Sequence, residues 1–97
     1  MKLTKNTFDT ITDKTFDIAF QPETTLKSEL IEIKSINSST LKKGQSEPFS
    51  LVFEIPGDSI YDQNTYLIKN SEMDEFYLFL VPIGADEKGV RYEAVFT

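Results

Sequence analysis

Glu75-Phe76-Tyr77-Leu78-Phe79-Leu80-Val81-Pro82-Ile83, the connection Gly84-Ala85-Asp86-Glu87-Lys88-Gly89, and Val90-Arg91-Tyr92-Glu93-Ala94-Val95-Phe96-Thr97 decide the fold. β-Branched and aromatic residues crowd both arms, and glycines bracket the connection, where positive φ is easily supplied. This is the pattern of a β-hairpin. The second arm sets Val90, Tyr92, Ala94 and Phe96 on one side and Arg91, Glu93 and Val95 on the other, so Tyr92 can anchor in a core while Glu93 faces polar neighbours. The first arm is apolar on both sides. Phe76, Leu78 and Leu80 share the parity that can enter a core. Tyr77, Phe79 and Val81 share the other and are left to be covered, either by the N-terminal helix or by another chain. Those three residues are the candidate interface.

Other strands read outward from this hairpin. Pro48-Phe49-Ser50-Leu51-Val52-Phe53-Glu54-Ile55 places Phe49, Leu51, Phe53 and Ile55 on one face, with Ser50 and Glu54 on the other. Pro56-Gly57-Asp58 turns the chain, and Tyr66-Leu67-Ile68-Lys69 is a shorter strand followed by a turn over Asn70 to Asp74. Thr15 to Phe20 alternates Phe16, Ile18 and Phe20. Leu26 to Ile36 is extended, but its apolar parity switches between Leu30 and Ile31. A switch of this kind predicts a β-bulge, as barrels use at corners. A helical spacing of Leu26, Leu30, Ile33 and Ile36 competes with this reading, and the β-branched isoleucines favour the strand. Asn37 to Glu47 is a polar connection. The first dozen residues read as a short helix capped by Thr4, with Phe8 and Ile11 on one face, Asp9 favouring the N-terminal dipole, and Asp13 at its end.

Six short strands, tight turns and one short helix within residues 1–97 predict one mainly-β domain, a small antiparallel barrel, closed or partly open. The Phe8/Ile11 helix would plug one end. Leu, Ile, Val and Phe make up 29 of 97 residues, enough for one core without staples.

Composition removes several functions. The formal net charge is −6, and an acidic surface repels phosphate backbones and anionic lipid, so neither a nucleic-acid nor a membrane partner is expected. The Lys42-Lys43 doublet reads as solvated loop charge. Cysteine and histidine are absent, which removes disulfides, thiolate catalysis, the commonest general base and the usual zinc ligands. No apolar run is long enough to span a bilayer, and the start of the chain lacks the apolar core of a secretory signal. A cytoplasmic protein is the expectation.

Carboxylates are the abundant reactive groups. Asp9 with Asp13, Asp58 with Asp62, and Asp74 with Glu75 could pair, but each falls in a turn or on a solvent-facing helix side rather than across a buried cleft. Asp58 to Asn64 has residue types suited to calcium without the loop spacing. The glycines at 44, 57, 84 and 89 form no phosphate-cradling motif. No enzymatic activity, metal or cofactor is expected. An aromatic-rich barrel could alternatively hold a small apolar ligand, although a barrel this narrow is filled by its own Phe side chains.

Four segments resemble a family of small bacterial domains of unknown function: Pro48-Phe49-Ser50-Leu51-Val52-Phe53, Gln63-Asn64-Thr65-Tyr66, Phe79-Leu80-Val81-Pro82-Ile83-Gly84 and Gly89-Val90-Arg91-Tyr92-Glu93-Ala94-Val95-Phe96. Leu3-Thr4 and Thr15-Phe16 fit as well, so the resemblance covers nearly the whole chain. It departs at Asn64, where glycine is usual and where Asn can supply the positive φ of a turn. Genes of such domains are often found beside those for phage-tail-collar-like proteins. The resemblance therefore implies a link with tail-like particles and carries no assigned activity. The expected function is a non-enzymatic interaction or assembly module whose partner is a protein, either a tail-collar-type protein or a second copy of the chain.

Overall fold

The computed structural model describes residues 3–36 and 47–97. Among them, helix α1 (Lys5–Thr10) is followed by strands β1 (Thr15–Gln21), β2 (Thr24–Ser35), β3 (Phe49–Ile55), β4 (Asn64–Asn70), β5 (Met73–Asp86) and β6 (Gly89–Phe96). The strands close into a barrel in the order β1-β2-β3-β6-β5-β4, every neighbouring pair antiparallel. Closure leaves no sheet edge to be capped separately. Most of the polar connection that begins at Asn37, with Lys42, Lys43 and Gly44, lies outside the described residues.

The parity switch in β2 is a bulge. Leu30 pairs with Phe53 and Glu32 with Val52, leaving Ile31 as the extra residue. After it Ile33 and Ser35 take up the inward register opposite Leu51 and Phe49. A second bulge was not legible. In β5, Pro82 pairs with Tyr92 and Gly84 with Arg91, so Ile83 is the extra residue. That bulge lets the ladder continue to Asp86↔Gly89, and the expected six-residue loop from Gly84 to Gly89 shrinks to a turn at Glu87-Lys88. Only Gly89 of the two bracketing glycines has positive φ, at 139°. Gly84 is a strand residue. Similarly, β4 starts earlier than Tyr66, and Asn64 pairs with Leu80 without adopting positive φ. Its Oδ1 accepts a 2.8 Å hydrogen bond from the Thr65 amide instead.

Helix α1 is shorter than the first dozen residues. Thr4 and Thr7 form a reciprocal capping box, and the C-cap is Ile11. Asp9 lies beyond the first turn and pairs with Lys5 at 2.8 Å rather than with the helix dipole. Phe8 is fully buried and enters one end of the barrel, its ring centroid about 6 Å from those of Phe16, Phe49, Phe76 and Phe96. Phe16 and Phe53 meet edge-on in the middle, at 5.3 Å. Tyr61, from the β3–β4 connection, closes the opposite end by stacking on Phe20 at 4.5 Å. Its amide donates a 2.9 Å hydrogen bond to the hydroxyl of the fully buried Tyr92, so the one polar atom that strand β6 carries into the core is satisfied. Aromatic side chains thus fill the barrel and seal both ends.

Candidate interaction surface

Strand β5 is where inside and outside are both apolar. Leu78 and Leu80 are buried in the core, and Phe76 packs against it. The alternate parity points outward: Tyr77 is 71% exposed and Phe79 52%, with Val81 half-buried. Their cross-strand neighbours are Leu67 opposite Tyr77, Thr65 opposite Phe79 and Glu93 opposite Val81. Of the two covers expected for this face, the helix is used elsewhere. It lies against β2 and puts Phe8 into the barrel end. Tyr77 and Phe79 remain open to solvent.

The surface is broader than the three residues read from sequence. Val95, outward on β6, is 53% exposed, and Ile83 is exposed as well. Val95 was readable from the alternation of the last strand. Ile83 was not, because its orientation depends on the bulge. Ile31, the extra residue of the β2 bulge, is exposed for the same reason. The β2 and β5 bulges therefore each turn an isoleucine outward.

The wall of β3 beside this surface is buried on both sides. Val52 and Ser50 belong to the outward parity, yet both are buried, Val52 with only 5% exposure. Register places Glu32, Val52, Glu93 and Val81 in one outward row across β2, β3, β6 and β5. Arg91 shares an outward face with Glu93 but bridges Glu54 at 3.4 Å and Asp86. Cross-strand geometry explains this: Arg91 is directly opposite Glu54, whereas Glu93 is two residues along the same strand.

The carboxylates do not converge on a cleft. Asp9, Asp58, Asp62, Asp74 and Glu75 are exposed, and Glu75 sits 3.8 Å from Lys69. Among the described residues no group of three or more acidic, His or Cys side chains could hold a metal. In the Asp58–Asn64 segment the Asp62 carbonyl accepts the Tyr66 hydroxyl, a structural use of that loop. Asp13 is different from the bland surface charge expected of it. It accepts Ser71 Oγ at 2.6 Å and the Thr15 amide at 3.0 Å. These bonds, Ser71 first, hold its carboxyl down to about 2. Nearby, Glu72 accepts the Asp13 amide and, at 3.0 Å, the Thr12 amide, and these bonds, Asp13 first, lower its pKa too. The pair ties the α1–β1 connection to the β4–β5 turn and supplies partners for backbone N–H groups.

The family model for a domain of unknown function, DUF6916, matches residues 3–96. The chain belongs to this family. Comparison with curated proteins and with solved structures gives no match. In this DUF6916 domain the match spans every strand and the helix. No helix of the domain is long and apolar enough to cross a membrane, among the described residues.

Proposed function

We propose that this DUF6916 domain is a non-enzymatic protein-interaction module that docks through the outward face of β5, with Tyr77, Phe79 and Val81 at its centre. One observation carries the reading: a strand whose inner face is committed to the core also presents Tyr77 and Phe79 to solvent at 71% and 52% exposure. Aromatic side chains are enriched where protein partners bury them, and leaving them adjacent on a sheet carries a cost in solubility. The partner in this reading is a tail-collar-type protein of a phage-tail-like particle, with the domain placed in the cytoplasm or in the particle. Support for that finer part is the resemblance of the four motifs around Phe49, Tyr66, Phe79 and Tyr92. A small-ligand barrel has less support, since Phe16, Phe49 and Phe53 occupy the interior.

Affinity purification of the wild-type chain and of Phe79→Asp from the native host tests the proposal. A protein recovered with the wild type and lost with a variant of unchanged circular dichroism supports it, and a tail-collar-type protein in that position supports its finer part. Identical recoveries overturn it.

A further inference from the structure

Charge says what kind of partner this face takes. On β3, β6, β5 and β4, Glu54, Glu75 and Glu93 point outward with Lys69 and Arg91, and both of those cations are already engaged, Lys69 with Glu75 and Arg91 with Glu54 and Asp86. Glu32 and Lys34 belong to β2, three strands from β5 either way round the barrel. Glu93 on β6 lies between Val52 of β3 and Val81 of β5, so it is the carboxylate next to this face. Among the described residues Glu93 makes no ion pair. Glu93 is also directly opposite Val81, at the border of the exposed Phe79 and Val95.

We infer that the surface which covers Tyr77, Phe79 and Val81 is basic, a polypeptide whose apolar side chains are accompanied by Lys or Arg. This rests on the docking reading above and adds the chemistry of the partner. A second copy fits the same face poorly. Packing two copies on this wall would bring Glu93 of each toward the other, on chains that each carry a net −6. Juxtaposed like charges oppose association, whereas a basic partner is steered in by the same field.

A displayed library of random peptides, selected on the full chain, tests the inference. The expected result is enrichment of sequences that combine apolar residues with Lys or Arg. Binding of the enriched peptides should weaken as salt rises, fall about twofold to fivefold in Glu93→Gln, and disappear in Phe79→Asp and in the uncharged Phe79→Ser. Enrichment of neutral or acidic peptides, or of none, overturns the inference. So does indifference to Glu93→Gln. If the peptides that bind still require Phe79, the docking reading survives that failure. Peptides indifferent to both Phe79 variants overturn the docking reading as well. Dimers at low ionic strength that Phe79→Ser dissolves would assign the face to a second copy.

Discussion

Gly89 lies against the carbonyl of Ile55 so closely that a Cβ at position 89 would sit 2.2 Å from its oxygen. The same residue holds φ at 139°, outside the range that L side chains adopt readily. Two independent constraints therefore fix glycine where β6 starts beside the end of β3. Gly89→Ala is expected to destabilise the fold by about 3 kcal/mol or more, measured by urea unfolding. Gly84→Ala is the control. A Cβ there would meet Arg91 Nη1 at 4.0 Å and nothing closer, so its unfolding midpoint should stay near that of the wild type.

The contrast between these glycines shows what the sequence could and could not reveal. Alternation over Phe49–Ile55 and Val90–Phe96 fixed which residues enter the core, and both strands took that register, pairing Phe53 with Tyr92 and Leu51 with Ala94. The β2 bulge was legible because it interrupts an apolar alternation. The β5 bulge was hidden because Val81, Pro82 and Ile83 are apolar whichever way they point. The Asp13–Glu72 clamp was hidden for another reason: Thr12, before β1, and Thr15, at its start, lie far in sequence from Ser71 in the β4–β5 turn. Tyr77 and Phe79 were legible from parity alone, since one face of a barrel wall points away from the core.

Phe8 is the plug, and its removal should be costly. Phe8→Ala would leave a void among the rings of Phe16, Phe49, Phe76 and Phe96, so a loss of about 3–5 kcal/mol is expected. Thermal unfolding measures it. Phe8→Leu should recover part of the loss, since much of the volume returns. Equal stability of Phe8→Ala and wild type would show that the helix contributes nothing to closing the barrel.

Asp13 links stability to acid. Its carboxyl titrates near 2 in the folded chain, below the ordinary 3.8, chiefly through the Ser71 hydroxyl. A carboxylate with a depressed folded pKa contributes stability that is complete above the unfolded value and is lost as pH falls through the folded one. The window is therefore between about pH 4 and pH 2, with Glu72 shifting in the same direction. Carbon-detected NMR titration should place the Asp13 midpoint near 2, and Ser71→Ala should raise it toward the ordinary carboxylate range. A midpoint already near 4 in the wild type would refute the clamp.

The exposed face should matter to association and little to folding. Phe79→Ser removes a ring that is 52% exposed, opposite Thr65 on β4, so the unfolding free energy should change by less than about 1 kcal/mol. What holds copies of the chain apart, in this account, is charge rather than the lack of an adhesive surface. At low ionic strength the net −6 keeps them separate and sedimentation should show monomers. Raising the salt shortens the Debye length to about 3 Å at 1 M and screens that repulsion, while the apolar attraction of Tyr77, Phe79 and Val95 is unaffected. Self-association should therefore rise with salt, and rise again as pH approaches the isoelectric point near 4.5. In both conditions Phe79→Ser should suppress it. Association that weakens with added salt would mean that ion pairs, not the outward aromatics, hold the copies together.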